Sequence, residues 1–218
     1  MSGPAPNTVA VVTAKQFSQA KQRMAESVGP ELRRDLVEAM LGDVLEAVSG
    51  ARMVGTALVV TGEPAAASLA ESSGAEVVAD PGGIGHPAAS LLGIERAREL
   101  GAETVILLPG DCPLLESREL DHLLTGVPSP FVTVVPDRHG TGTNALVLSP
   151  PDAIEPSFGE GSHRRHLDLA REAGVPGVTE EIAGLALDLD TPADIVALTT
   201  RLAAKPGGAR RTAAVLGI

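Results

Sequence analysis

Large aromatic side chains are almost absent from this sequence. Its 218 residues include no Trp, no Tyr and only three Phe, although 44% of them are hydrophobic. A core without large rings has to be built from small aliphatic side chains, chiefly Ala, Val and Leu. The length suits one α/β domain, because single domains mostly span about 50 to 250 residues.

Cysteine, net positive charge and long apolar runs are also lacking. Cys112 is the single cysteine, which excludes an internal disulfide and a cysteine metal cluster. The formal net charge of -11 argues against binding to nucleic acid or anionic membranes, since both require a basic surface. No stretch approaches the roughly 20 apolar residues of a membrane helix, and residues 1–7 lack the features of a signal peptide. We therefore expect a cytoplasmic protein with small-molecule partners, for which a homodimer is compatible with the sequence.

Short β-branched runs alternate with helical patterns along the chain. This alternation predicts a three-layer α/β fold, in which a mostly parallel sheet carries helices on both faces. We predict one domain over residues 1–204 and a C-terminal tail over 205–218. The predicted strands are 8–13, 54–61, 76–79, 104–108, 131–135 and 144–148. The predicted helices are 30–48, 64–73, 87–100, 117–124, 162–173 and 191–203.

Three cations follow the first predicted strand, and ligands of such sheets bind where strands end. Lys15, Lys21 and Arg23 lie there, in a stretch that has neither the glycine pattern of a dinucleotide fold nor that of a P-loop. Long cationic side chains at this point could hold a triphosphate and neutralise a departing pyrophosphate. A solvated basic loop explains the same residues equally well.

Three aspartates follow later strands. Asp111 lies in a Gly-Asp-Cys-Pro turn after the fourth strand, where it could bind a hard cation or act as a turn residue. Asp188 and Asp190 alternate on an extended segment and so point to one face. Mg²⁺ takes carboxylates together with substrate phosphate oxygens. Asp190 could equally cap the helix that begins near Pro192, whereas Asp188 has no capping role.

Two polar loops supply groups for binding anions. Residues 136–144 contain two glycines, two threonines and an asparagine, which offer backbone N–H groups and hydroxyls to carboxylate or phosphate oxygens. Ser162 is predicted to be the N-cap of a helix whose first N–H groups form a second anion site. Arg164 and Arg165 follow, and they either add positive charge to this site or face water.

Together, these motifs resemble the phospholactate or phosphoenolpyruvate guanylyltransferases of coenzyme F420 biosynthesis, the CofC or FbiD proteins. The resemblance runs in order across nearly the whole chain, and the GTGT and DxDTPxD motifs together make it specific. The matching segments are Lys15, AKQR (20–23), AMLGDVL (39–45), GDCPLL (110–115), PDRHGTGTNAL (136–146), FGEGS (158–162), RH (165–166) and DLDTPAD (188–194).

The resemblance implies a nucleotide-diphospho-sugar transferase-like fold and transfer of GMP from GTP to a small phosphorylated carboxylic acid. Phosphoenolpyruvate is the preferred acceptor, because the Ala- and Gly-rich composition is typical of high-GC bacteria; 2-phospholactate and 3-phosphoglycerate stay open. The implied catalytic residues are Lys15, Lys21 and Asp111. The implied Mg²⁺ ligands are Asp111, Asp188 and Asp190. The acceptor would be held near Thr143, Gly159 and Ser162. The nucleotide would be held by Lys15, Lys21, Arg23, Gly82, Gly83 and Gly85.

Two departures from the family pattern stand out. Thr13-Ala14-Lys15 stands where the family commonly has Pro-Val-Lys, so the proline is missing, and the loop 82–90 lacks the usual asparagine. The second departure bears on guanine specificity. Two other functions therefore remain: nucleotide transfer to another acceptor, such as a molybdopterin or a sugar phosphate, and a nucleotide-sensing domain without turnover.

Overall fold

The computed structural model describes residues 7–17, 21, 24, 28–81, 85–204 and 207–218. These residues form seven strands and seven helices. The strands are β1 (Thr8–Ala14), β2 (Thr56–Thr61), β3 (Glu76–Ala79), β4 (Thr104–Pro109), β5 (Phe131–Pro136), β6 (Thr143–Ser149) and β7 (Gly177–Thr179). The helices are α1 (Pro30–Gly50), α2 (Pro64–Ser72), α3 (His86–Glu99), α4 (Ser117–Leu124), α5 (Ser162–Glu172), α6 (Pro192–Ala204) and α7 (Arg210–Leu216).

All seven strands form one sheet in the order β3-β2-β1-β4-β6-β5-β7. Strand β6 runs antiparallel to both of its neighbours, and the other strands share one direction. Only the short loop 137–142 separates β5 from β6, and a parallel pair would need a crossover of a dozen or more residues. The prediction of a mostly parallel sheet is confirmed. Strand β7 was not predicted, because three exposed residues carry no periodic pattern.

Small aliphatic side chains bury both faces of the sheet. On β1, Ala10 and Val12 belong to one core cluster, while Val9 and Val11 belong to the cluster on the opposite face. Side chains alternate across a strand, so this division shows that β1 is covered on both sides.

Helix α3 lies close to β1 at Gly93. A Cβ atom at this position would lie 2.2 Å from Cγ1 of Val11. We expect Gly93→Ala to lower the free energy of unfolding by about 1–3 kcal/mol, because overpacking of a core is destabilising. At an unobstructed helix position the same change would stabilise the protein by up to about 1 kcal/mol. Chemical denaturation checks the sign, with Glu95→Ala on the exposed face of α3 as the control. A Gly93→Ala variant as stable as the parent would contradict this packing.

Within the predicted tail, Arg210–Leu216 forms helix α7, which packs on α1. The buried carboxylate of Asp43 on α1 accepts hydrogen bonds from the backbone N–H groups of Arg211 and Thr212 and from the Thr212 hydroxyl. A carboxylate at this point satisfies N–H groups of the first turn of α7. Among the described residues, no helix has the length and apolarity that crossing a membrane requires.

Candidate active site

The carboxyl ends of β1 and β4 border a cleft of about 760 Å³. In the strand order, β2 and β3 lie on one side of β1, whereas β4 lies on its other side. A crevice opens where the strand order reverses in this way, and ligands of α/β sheets bind there. Lys15 follows β1 into this cleft, and Asp111 follows β4.

The loop that carries Lys15 is held by the end of β2. The backbone N–H of Phe17 donates to Oε2 of Glu63 at 3.1 Å, and the Phe17 side chain is buried. Glu63 also accepts from the N–H of Ala65 at the start of α2. One carboxylate therefore joins the loop after β1 to the loop after β2, which places the backbone around Lys15 at the mouth of the cleft.

Three carboxylates line the cleft. The N–H of Leu189 donates to the carbonyl oxygen of Asp111 at 3.2 Å, and Leu189 itself is buried. This contact aligns the segment 188–190 with the end of β4. Asp188 and Asp190, which flank Leu189, therefore both line the cleft together with Asp111.

The ammonium group of Lys21 lies between two of these acids. Its Nζ atom is 2.5 Å from Oδ2 of Asp111 and 2.7 Å from Oδ1 of Asp190, and the side chain is 5% exposed. Burial by itself lowers the pKa of Lys21, but the charges of both carboxylates outweigh it and raise the pKa. Lys21 therefore stays protonated and supplies positive charge at the floor of the cleft.

Asp188 experiences a different environment. Burial raises the pKa of its carboxyl group, and the nearby charge of Asp111 raises it further. Oδ1 accepts from Nδ2 of Asn144 at 3.4 Å, and the same amide donates to the carbonyl of Leu185 at 2.7 Å. Asn144, at the start of β6, thus holds the carboxylate of Asp188 in place by a hydrogen bond from the sheet.

Asp194, in the first turn of α6, reaches back to the segment that precedes the helix. Oδ2 of Asp194 accepts from the N–H groups of Asp190 and Thr191, at 3.0 and 2.6 Å, and from the Thr191 hydroxyl. Its other oxygen pairs with the guanidinium of Arg138 from the β5–β6 loop. Asp194 thus ties residues 190–191 to the first turn of α6, and the carboxylate of Asp190, which was considered as a helix cap, contacts Lys21.

Ser162 does not take the predicted N-cap position. Helix α5 begins at Ser162, and its N-cap is Gly161, whose φ of 70° lies in the left-handed region that glycine favours. The Ser162 hydroxyl donates to Oγ1 of Thr143 at 3.1 Å. The two hydroxyls therefore form a pair at the wall of the cleft, which joins the start of α5 to the start of β6.

The two arginines of α5 differ in environment. Arg164 is 90% exposed and faces water, where it approaches Asp168. Arg165 donates to the carbonyl oxygens of Ser157, Phe158 and Glu160 at 2.8, 3.4 and 2.9 Å. Within a trans peptide, the C=O and N–H bonds point in opposite directions. The N–H groups of the three peptides whose carbonyls contact Arg165 therefore point away from it. Arg165 thus shapes the loop of Gly159, whose φ of 114° also suits glycine.

Residues 8–202 match the sequence profile of the family described as "Guanylyl transferase CofC like". The chain belongs to this family. A protein of Conexibacter woesei named phosphoenolpyruvate guanylyltransferase is 44% identical over 213 residues, which cover 96% of this chain and 95% of the relative. A protein of the same name from Sphaerobacter thermophilus is 40% identical over 188 residues, which cover 86% and 90% of the two chains.

Solved structures extend the likeness of this CofC-like chain to the fold. A Desulfovibrio desulfuricans G20 protein that carries the name nucleotide-diphospho-sugar transferase superposes with a TM-score of 0.76 at 17% identity, covering 97% of this chain and 94% of its own. A cytidylyltransferase from Leptospira borgpetersenii superposes with a TM-score of 0.60 at 15% identity, with the same coverage. These structures confirm the predicted fold, while the family and its named relatives confirm the nucleotidyltransferase class.

Most of the site residues predicted for this CofC-like chain lie together in the cleft. They are Lys15, Lys21, Asp111, Thr143, Gly159, Ser162, Asp188 and Asp190. Gly85 is the N-cap of α3, two residues before the cleft residue Pro87. Arg23, Gly82 and Gly83 lie outside the described residues. The individual roles of these residues stay predictions.

Four positioning residues of the CofC-like site escaped the sequence analysis. Asn144 and Arg138 lie within a loop that was recognised as polar, but their partners are distant in sequence. Asp194 was read only as part of the DxDTPxD motif. His166 lies four residues after Ser162, and this spacing places both on one face of α5. Besides that spacing, the Arg165-His166 pair in the family resemblance was a signal for His166.

A second cavity, of about 690 Å³, lies between α1, α4 and residues 201–204 and 207–210. Its charged groups largely have partners: Glu119 accepts from the N–H of Gly184, Arg201 donates to the carbonyl of Ala183, and Arg210 pairs with Glu46. The acidic cluster and the hydroxyl pair belong to the larger cleft, which we take as the active site.

Proposed function

We propose that this protein transfers GMP from GTP to the phosphate of a small phosphorylated carboxylic acid, with phosphoenolpyruvate as the preferred acceptor, in coenzyme F420 biosynthesis. The names of relatives at 44% and 40% identity support this acceptor. The observation that carries the proposal is the composition of the cleft. Its floor holds three carboxylates and Lys21, and its wall presents the Thr143–Ser162 hydroxyl pair.

The reaction requires no covalent intermediate on the protein. An oxygen of the acceptor phosphate forms a bond to the α-phosphorus of GTP. The bond from that phosphorus to the oxygen bridging to the β-phosphate breaks, and pyrophosphate leaves with the electron pair. A phosphate oxygen is already ionised at neutral pH, so the protein has to position the reactants and balance charge. Lys15 and Lys21 would contact the nucleotide phosphates, while Thr143, Gly159 and Ser162 would hold the acceptor.

We also propose that Mg²⁺ is the cofactor. Carboxylate oxygens are the ligands that Mg²⁺ prefers, and Asp111, Asp188 and Asp190 supply them from two adjacent segments. No ready-made group of three or more metal-ligating side chains occurs in the described part of the chain. The ammonium of Lys21 lies between Asp111 and Asp190, which shows that these two carboxylates stabilise a positive charge there. A bound Mg²⁺ would neutralise charge on the phosphates.

Pyrophosphate release tests the proposed function directly. The protein is incubated with GTP and MgCl₂ and with phosphoenolpyruvate, 2-phospholactate or 3-phosphoglycerate in turn. Parallel reactions contain ATP, or EDTA in place of MgCl₂. We expect release with GTP and phosphoenolpyruvate, little release with ATP, and none with EDTA. Folded protein that releases pyrophosphate with none of the acids would overturn the proposed acceptor and favour a molybdopterin, a sugar phosphate or a sensing role. Light scattering would determine whether the protein is a homodimer, a state with which the sequence is compatible.

A further inference from the structure

A fully buried histidine lies behind the hydroxyl pair at the wall of the cleft. Nδ1 of His166 is 3.1 Å from Oγ1 of Thr143, and Nε2 is 2.8 Å from the backbone nitrogen of Ser157. The ring also packs against Phe158 edge to face, with ring centroids 5.2 Å apart. These contacts hold the imidazole at both nitrogens and along one edge, so its orientation is determined by the fold.

The backbone contact determines which ring nitrogen carries the proton. A backbone N–H can only donate, so Nε2 of His166 has to accept from Ser157 with its lone pair. The proton of the neutral imidazole is therefore on Nδ1, and this N–H donates to Oγ1 of Thr143. A histidine at a functional site has its tautomer set in this way by the bond that its other nitrogen makes.

This tautomer reserves a hydroxyl hydrogen for the ligand. Oγ1 of Thr143 accepts from His166 and from the Ser162 hydroxyl, which occupies both of its lone pairs. Were Nδ1 an acceptor, the Thr143 hydrogen would be donated to the ring. With Nδ1 as the donor, the hydroxyl pair keeps one hydrogen to donate into the cleft that both residues line. A carboxylate or phosphate oxygen only accepts hydrogen bonds, so the pair is matched to an anion.

We infer that His166 is a positioning residue, which makes the Thr143–Ser162 pair a donor to an anionic oxygen of the acceptor acid. The inference rests on the proposed function, since it assigns the anion to the acceptor and not to GTP. His166 itself lies behind the pair and does not touch the substrate. Its effect should appear in the KM for the acid, while the KM for GTP and kcat stay nearly unchanged.

Two amide variants separate this role from a purely structural one. In His166→Asn, the side-chain amide reaches the position of Nδ1 and can still donate to Thr143. In His166→Gln, the amide reaches the position of Nε2, where its oxygen can accept from Ser157 but no donor faces Thr143. A residue that merely supports the loop at Ser157 would tolerate Gln at least as well as Asn. The inferred role requires the opposite order.

Steady-state kinetics with the full-length variants provides the test. We expect His166→Gln to raise the KM for the acid by about tenfold or more, the effect of one lost hydrogen bond to a charged group. The KM for GTP and kcat should stay within about twofold, and His166→Asn should raise the KM for the acid by about threefold or less. In a Thr143→Val background, His166→Gln should add less than about twofold, because both changes act through the same hydroxyl. Asn no better than Gln, or equal increases for acid and GTP, would overturn the role.

A spectroscopic readout is independent of turnover. In long-range ¹H–¹⁵N spectra of the uniformly labelled protein, His166 should show a protonated Nδ1 and an unprotonated Nε2, with His166→Asn used to assign the signals. A proton on Nε2 would overturn the inference even if the enzyme uses the proposed acceptor. Absence of turnover with any acid, together with the expected tautomer, would count against the proposed function and against the assignment of the anion to its acceptor.

Discussion

Asp111→Asn is expected to lower kcat for pyrophosphate release by about 1000-fold or more, with the fold intact. Asp111 lies at the end of β4, and its carboxylate contacts Lys21 while its carbonyl accepts from Leu189. A metal that neutralises phosphate charge contributes several kcal/mol to transition-state stabilisation, and each 1.36 kcal/mol corresponds to a factor of ten in rate. Asparagine has nearly the same shape but lacks the charge that holds the cation.

The measurement for Asp111→Asn is pyrophosphate release at saturating GTP and acid, accompanied by Mn²⁺ binding in the absence of substrates. Mn²⁺ affinity should fall along with turnover. Asp152→Asn is the control. This exposed aspartate follows the end of β6, where Ser149 pairs with the start of β5. It therefore lies at the end of the strands that is opposite to the cleft. An Asp111→Asn variant with near-normal kcat would remove Asp111 from the mechanism.

Lys21→Met should lower kcat by about 100- to 1000-fold, the usual cost of removing one preorganised group that stabilises developing charge. Its ammonium is 5% exposed and contacts Asp111 and Asp190. The same change should increase Mn²⁺ affinity in the absence of nucleotide, because the ammonium no longer competes for the two carboxylates. Weaker catalysis combined with tighter metal binding distinguishes loss of this cation from general damage to the cleft.

The control for Lys21→Met is Arg52→Met, which also removes a cation but at a side chain that is 90% exposed. Surface ion pairs such as that of Arg52 with Asp121 contribute little to stability, so this variant should match the parent in kcat and in melting temperature. Turnover of Lys21→Met within about twofold of the parent would show that Lys21 only balances charge when the site is empty of phosphate.

Local sequence patterns were sufficient to predict most of the fold and the composition of the site. The predicted strand 76–79 and helix 117–124 agree with the structure in both bounds, and the other matched elements differ by at most two residues at either end. Runs of β-branched residues and four-residue apolar spacing act over one or two turns of chain, so they are visible without knowledge of the fold. The ordered motifs also predicted the family, which the comparisons confirm.

Other features depended on residues that are distant in sequence. Asp190 contacts Lys21 across 169 positions, and Asn144 contacts Leu185 across 41. Local sequence allowed Asp190 to be a helix cap and Ser162 to be an N-cap. In the structure the carboxylate of Asp190 contacts Lys21, and the N-cap of α5 is Gly161.

The sequence by itself therefore determined the alternation of strands and helices, the family and the set of acids, lysines and hydroxyls available for chemistry. The tertiary structure alone decided the reversed direction of β6, the docking of α7 on Asp43 and the link from His166 to Thr143. The physical reason is the range of the interactions. Periodicity and turn preferences act between near neighbours, whereas hydrogen bonds between side chains require the sheet to bring separate loops to within about 3 Å of each other.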